Sequence, residues 1–283
     1  MTLRVEQPGL LTLVQDPGRP GLGHLGVSAA GAFDRGALRQ ANALLGNDPD
    51  AAAIELLGGG LVLRAAAPHR VAVTGAPGPV TIDGRHVAHG RALRLAAGQL
   101  LRVDPPSSGL RTYVGVAGGL DAQPELGSVS TDTLAGLGPA PLVAGDTLHT
   151  GREPVPPLLE DVLPLVNSGD ITVDVVLGPR DDWFSPVAVR RLLDDPWHVS
   201  PSSDRVGVRL VGEPLERSRT DELPSEPCLR GSVQVAADGQ PIVFGPDHPV
   251  TGGYPVIAVV VDAHTDRLAQ ARPGQVVRFH RVP

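Results

Sequence analysis

Short apolar runs separated by glycine- and proline-bearing turns set the pattern of this chain. An apolar run at 10–14 is followed by a Gly/Pro-rich stretch that lasts to Gly31. Phe33, Ala37, Ala41, Leu44 and Leu45 then recur on one face at helical spacing, and Gly46-Asn47 stops that helix. Strand-type runs follow at 53–57, 61–64, 70–74, 80–82, 91–95, 100–103 and 111–116, with Asp83-Gly84 as a hairpin-turn signal. Past 170 the same pattern returns at 171–177, 206–211, 233–236, 242–244, 256–261 and 276–280, with Asp238-Gly239 as a second turn. Short helices are expected near 186–193 and 265–271.

Between these halves, Pro154, Pro156, Pro157 and Pro164 lie among acidic residues, which bars a regular element and reads as a linker. The expected division is a β-domain at 1–153, a linker at 154–165 and a second β-domain at 166–283. Many short strands with turns between them, and no long strand–helix alternation, point to barrels or sandwiches. The run Gly98-Gln99-Leu100-Leu101-Arg102-Val103 is echoed by Gly274-Gln275-Val276-Val277-Arg278-Phe279. Duplication explains the echo; so does a glycine turn that simply feeds an apolar strand.

Composition narrows the chemistry. Aromatics are 3% of the 283 residues, so Val, Leu, Ile and Ala must fill two cores. The 35 glycines and 29 prolines are spread between apolar runs, which signals turns and not disorder. A net charge of −7 with no basic block excludes nucleic acid as a partner. All 24 basic residues are Arg. Without lysine there is no Schiff base, no Walker-type phosphate loop and no lysine-linked biotin, so ATP or biotin, if used, belongs to another chain. The single cysteine, Cys228, forms no internal disulfide and has no partner at zinc spacing, so no metal is expected. Residues 1–9 lack a signal-peptide pattern, and no apolar run approaches the ~18 residues of a membrane span. A soluble cytoplasmic protein is expected.

Three clusters hold residues able to do chemistry. In Gln15-Asp16-Pro17-Gly18-Arg19, followed by His24, Ser28 and Asp34, Arg19 offers a two-pronged grip on a carboxylate or phosphate; alternatively it pairs with Asp16 while Asp34 caps the helix. Ser203-Asp204-Arg205 enters an alternating strand, either as ligand groups or as a structural brace. The run 240–255 ends a strand in a loop, where Asp247 or His248 offers a general base, Thr251 and Tyr254 hydrogen bonds, and Gly252-Gly253 amides for an oxyanion. A proline-stiffened loop anchored by Tyr254 is the plainer reading. Cys228 lacks clustered cations and reads as structural. Trp183 and Phe184 either line a cleft or pack beneath it.

The phrases Gly9 to Arg19, Gly26 to Asp34, Ala41 to Asn47, Ser202 to Gly207 and Thr251-Gly252-Gly253-Tyr254-Pro255, taken in order, resemble the allophanate hydrolase subunit 2 family, the biotin-dependent carboxyltransferases. Within it the likeness is to the branch that serves bacterial ATP-dependent 5-oxoprolinase, related to the carboxyltransferase region of urea amidolyase. The resemblance implies two cyclophilin-like β-barrel domains with a few short helices and a site between them. It implies two partners: a B-type homologue related to allophanate hydrolase subunit 1, and the A-type component of the 5-oxoprolinase complex. Carried over by position, it implies a site drawn from Gln15, Asp16, Arg19, Ser28, Asp34, Asn42, Ser203, Asp204, Arg205, Gln234, Asp247, Thr251, Gly252, Gly253 and Tyr254. In it Asp247 is the expected acid/base and Arg19 or Arg205 the carboxylate or oxyanion partner, with Tyr254 and the glycine amides fixing orientation. The implied reaction is ATP-dependent opening of 5-oxoproline to glutamate. Carboxyl transfer from biotin to urea or another small amide, and a non-enzymatic regulatory role, are the alternatives. Val208 stands where the family usually has Tyr, and Gly138 to Leu142 where a Gly-Arg turn is common.

Overall fold

The computed structural model describes residues 2–155, 169–219 and 221–283. These form two compact units: one holds 2–19, 30–132 and 136–155, the other 20–29, 133–135, 169–219 and 221–283. The linker expected at 154–165 lies, from 156 onward, outside the described residues.

The first unit contains β1 (Thr2–Pro8), β2 (Leu11–Gln15), α1 (Arg35–Leu45), β3 (Ala53–Leu57), β4 (Leu61–Ala65), β5 (His69–Gly75), β6 (Val80–Ile82) and β7 (Arg85–Val87). It continues with β8 (Ala92–Leu95), β9 (Leu100–Val103), β10 (Arg111–Val116), β11 (Leu120–Asp121) and β12 (Thr147–Thr150). One sheet has the order β11-β12-β1-β4-β9-β6-β7 and the other β2-β3-β10-β5-β8. Aliphatic residues from both sheets, among them Leu3, Val5, Ile54, Leu63, Val73, Leu101 and Val114, share one buried core, as the scarcity of aromatics requires.

Helix α1 begins because Asp34 caps it, its carboxylate accepting from the Ala37 amide at 2.8 Å. It ends because Gly46 takes a left-handed φ of 72°. Its buried face packs on β5 and β10, and the approach is close at Gly115, where a Cβ would stand 3.1 Å from both Ala41 Cβ and Leu45 Cδ1. Beside the helix lies a buried polar network. Glu55 accepts from the Tyr113 hydroxyl at 2.5 Å and the Phe33 amide at 2.9 Å, and Arg111 lies 3.5 Å away with its guanidinium over the Phe33 ring. Burial first, then the Glu55 and Asp34 carboxylates, hold the Tyr113 phenol well above its ordinary pKa, so it stays a donor.

The second unit contains β13 (Ile171–Leu177), α2 (Pro186–Asp194), β14 (Trp197–Val199), β15 (Gly207–Val211), β16 (Glu226–Pro227), β17 (Ser232–Val235) and β18 (Pro241–Phe244). After these come β19 (Thr251–Gly252), β20 (Val256–Val260), α3 (Asp262–Leu268) and β21 (Val276–Arg281). Seven strands close a barrel in the order β13-β20-β17-β18-β15-β14-β21, and β21 shuts it by running parallel to β13. Buried Val173, Val175, Leu210, Val233 and Ile257 help fill it. Trp197 is fully buried, its indole N–H donating to the Leu192 carbonyl at the end of α2.

The mainly β expectation holds, with three α-helices among the described residues. Helix α3 starts and ends three residues before its expected span, its Thr265 hydroxyl donating to the Asp262 carbonyl at 2.7 Å. Strands β1, β7, β11, β12, β14, β16 and β19 lie outside the expected runs. The echoed turns are built alike: the Gln99 side chain accepts from the Ala96 amide at 2.8 Å, and Gln275 accepts from Arg272 at 3.1 Å. Gly98 and Gly274 have φ of 85° and 82°, where a side chain would be strained.

Replacing Glu55 by Ala removes the carboxylate shared by Tyr113, Phe33 and Arg111. The first unit is expected to lose about 3 kcal/mol, read from the denaturant midpoint. A loss under about 1 kcal/mol would show that the network is not holding the helix entry.

Candidate functional site

The polar centre of the second unit follows from strand register. β15 and β18 pair with Gly207 opposite Phe244 and Val208 opposite Val243. Beyond their ends the two chains stay adjacent, the Gly245 amide donating to Val206 at 2.9 Å and the Asp247 amide to Arg205 at 3.2 Å. That register brings two side chains together that the sequence places in separate clusters. Arg205 Nε and Nη2 donate to Asp247 Oδ2 and Oδ1 at 2.9 and 2.8 Å, with side-chain exposures of 2% and 0%. A bidentate pair of this kind fixes angle as well as distance.

A third partner comes from far away in sequence. Thr133 donates to Asp247 Oδ2 twice, from its amide at 2.9 Å and its hydroxyl at 2.7 Å. Asp247 immediately precedes His248–Thr251, and Thr133 immediately precedes Leu134-Ala135. Those two stretches, with Gly23, Gly26 and Ser28, line a cavity of roughly 360 Å³, at the small end of ligand sites. One buried carboxylate thus ties two walls of the cavity together.

The His248 ring stacks on Phe244 with centroids 5.9 Å apart, and its Nδ1 lies 2.8 Å from the Pro249 carbonyl. A carbonyl only accepts, so Nδ1 carries a hydrogen in this contact. The turn Gly23–Leu25 closes over Val250: a Cβ at Gly23 would touch Val250 Cγ1 at 3.6 Å. Further along the loop, β19 pairs with β16, and Glu226 of β16 is gripped by Arg180. Gln234 donates to the Tyr254 carbonyl at 3.0 Å, Arg217 lies over the Tyr254 ring, and Tyr254 is about half exposed. Gly252 packs closely here: a Cβ would lie 2.6 Å from Gln234 Nε2 and displace that side chain. Burial first, then Glu226, push the Cys228 thiol up, so it is no nucleophile at neutral pH.

The expected site residues therefore divide. Ser28 and Thr251 line the cavity; Asp247, Arg205, Gln234 and Gly252 hold its loop; Gly253 and Tyr254 lie beyond. Ser203 exchanges hydrogen bonds with the Arg209 backbone, and Asp204 accepts from the Val206 and Gly207 amides, so both brace the turn into β15. Val208 is a buried strand residue and is not part of the cavity wall.

In the first unit the remaining candidates are engaged by backbone groups and by two serine hydroxyls. Arg19, 2% exposed, donates to the carbonyls of Ser130 at 2.5 Å and Glu125 at 3.3 Å. Asp16 accepts from Gly18, Ser128, Val129 and Ser130; Gln15 donates to Thr131 and Asn42 to Ala51. Asp34 is the helix cap. Sequence reasoning missed Thr133, Leu134 and Ala135, which sit in a polar stretch with no periodicity. Among the described residues no group of three or more His, Cys, Asp or Glu could hold a metal ion, and no helix is long and apolar enough to cross a membrane.

Residues 25–281 match the family described as carboxyltransferase domain, subdomain A and B. The chain belongs to that family. Among carboxyltransferase-domain relatives, the C-type component of 5-oxoprolinase from Escherichia coli (strain K12) is 38% identical over 280 residues, which is 98% of this chain and 90% of the relative. Urea amidolyase of Saccharomyces cerevisiae is 30% identical over 98% of this chain, although the match spans 16% of that larger protein. The crystal structure of the K. lactis urea amidolyase superposes with a TM-score of 0.93 over the whole chain at 27% identity, again over a small part, 19%, of the other. The carboxyltransferase-domain fold thus appears both as a separate polypeptide and as a segment of a longer enzyme.

Asp247→Ala would leave Arg205 buried without its carboxylate and remove the acceptor of two Thr133 donors. A loss of about 3–5 kcal/mol is expected in urea titration; a loss below about 1 kcal/mol would mean that the pair is not structural.

Proposed function

We propose that this chain is the C-type component of an ATP-dependent 5-oxoprolinase, opening 5-oxoproline to glutamate in the cytoplasm together with the A-type component and a B-type homologue. The cavity beside His248 takes the amide. The observation that carries this reading is the gathering of His248, Ser28 and Thr251 in the wall of one small cavity. The near full-length likeness to the C-type component of bacterial 5-oxoprolinase supports it.

Opening a lactam adds water across the C–N bond: the water oxygen joins the carbonyl carbon, the bond to nitrogen breaks, and nitrogen takes a proton. His248 Nε2 is suited to accept a proton from water and return it to the leaving nitrogen. The Ser28 hydroxyl and the amides of the Gly23–Gly26 turn are suited to hold the carbonyl oxygen as charge builds there. Asp247, already accepting from Arg205 Nε and Nη2 and from the Thr133 amide and hydroxyl, serves as the positioning residue for His248 and not as the acid/base. ATP belongs on another chain of the complex, because a chain without lysine has no Walker-type loop.

Carboxyl transfer to urea or a related small amide, with biotin on another chain, is the second reading, favoured by the urea amidolyase relatives. Avidin added to the assembled complex abolishes turnover under that reading and leaves it intact under the first. His248→Asn in the reconstituted complex is expected to lower ATP-dependent glutamate release about 100-fold with little change in melting temperature. Parental turnover would remove His248 from the chemistry.

A further inference from the structure

In the second unit the stretch 217–219 runs alongside the turn 181–183: Arg217 bridges to Phe184, and the Ser218 amide donates to the Trp183 carbonyl at 2.8 Å. Both arginines of the stretch lie over aromatic rings, Arg217 over Tyr254 at 5.5 Å and Arg219 over Trp183 at 5.9 Å. Arg219 also lies 3.2 Å from the Asp182 carboxylate, and Arg180, at the start of the turn, grips Glu226. Arg217 has no such partner. Among the described residues its one hydrogen bond runs from Nη2 to the Val235 carbonyl at 2.5 Å, and no carboxylate lies within ion-pair distance of it. Its Nε is buried and bonded to nothing.

A guanidinium presents five N–H donors in a planar fork, and a backbone carbonyl supplies it with an acceptor but no countercharge. Excluding water from the remainder of the fork without giving it an acceptor is unfavourable, and at Nε that exclusion is complete. The Val235 anchor and the Tyr254 ring hold the fork in place before any ligand arrives, so little side-chain freedom is lost on binding. Tyr254 is about half exposed, which opens an approach from its side. Arg205, a cation expected from the sequence to take a carboxylate, is committed to Asp247. We infer that Arg217, beneath Tyr254, is a carboxylate-binding subsite for a small organic acid. Tyr254 lies three residues beyond Thr251 of the cavity wall on the same loop. On the reading that the cavity takes the amide of 5-oxoproline, the acid is that lactam or the glutamate it yields; only this identification rests on that reading.

The test uses the full chain alone and three probes: 5-oxoproline, its carboxylate-free counterpart 2-pyrrolidinone, and acetate. Binding is followed through the Arg217 Nε–H and Tyr254 ring resonances, assigned by their loss in Arg217→Gln and Tyr254→Leu, at about 20 mM and about 500 mM salt. Both acids are expected to shift the two groups, about threefold or more weakly at high salt, while 2-pyrrolidinone leaves them in place. Binding of 5-oxoproline about tenfold or more tighter than acetate identifies the acidic lactam as the ligand; equal affinities keep the carboxylate subsite and remove that lactam from it. Shifts of the same size with all three probes, or none with either acid, would overturn the inference from the parent chain alone. So would acid binding that persists at the Tyr254 ring of an Arg217→Gln chain with parental melting temperature.

Discussion

A single buried ion pair organises the second unit. Taking Arg205 and Asp247 out of water is costly, and an apolar pair of similar volume commonly gives equal or greater stability. What an apolar pair lacks is direction. The guanidinium fork fixes the carboxylate plane, and the carboxylate then has lone pairs left for the Thr133 amide and hydroxyl. The chain on the C-terminal side of each of these anchors becomes cavity wall. Register between β15 and β18 makes the meeting of Arg205 and Asp247 automatic once the barrel has closed, so fold and cavity are set by the same hydrogen-bond ladder.

The first unit uses comparable polar groups for a different purpose. Residues 122–146 contain no regular strand or helix, and buried backbone in such a region still needs partners. Asp16 gathers one amide and two hydroxyls from Ser128–Ser130, while Arg19 and Gln15 satisfy carbonyls of Ser130 and Thr131. Polar residues bracketed by glycines here mark a stretch of irregular chain being held in place. The same residue types and spacing would suit a ligand loop, which explains why sequence alone does not separate the two.

The strands were legible where apolar residues alternate or run together, as in β3, β5, β10, β13 and β20, and α1 was legible down to its cap. β1 was hidden by Arg4, Glu6 and Pro8, which are the solvent-side half of an alternating strand whose Leu3 and Val5 are fully buried. β12 and β14 are too short to show a period. At the cavity, the loop 245–255 stood out by composition, but which of the neighbours Asp247 and His248 lines the wall depends on loop geometry that no periodicity encodes. Thr133 was invisible because its role exists only through a contact 114 positions away. The glutamine-braced turns at Gly98 and Gly274 show that their sequence echo reflects shared local geometry.

The most direct measurement pairs stability with turnover in the double variant Arg205→Met/Asp247→Leu. If the ion pair exists to set the cavity walls, the variant keeps a cooperative unfolding transition close to the parent's. Its ATP-dependent lactam turnover in the reconstituted complex then falls by about tenfold or more, because His248 and Leu134 lose their common anchor. Parental stability together with parental turnover would contradict the role assigned to the pair.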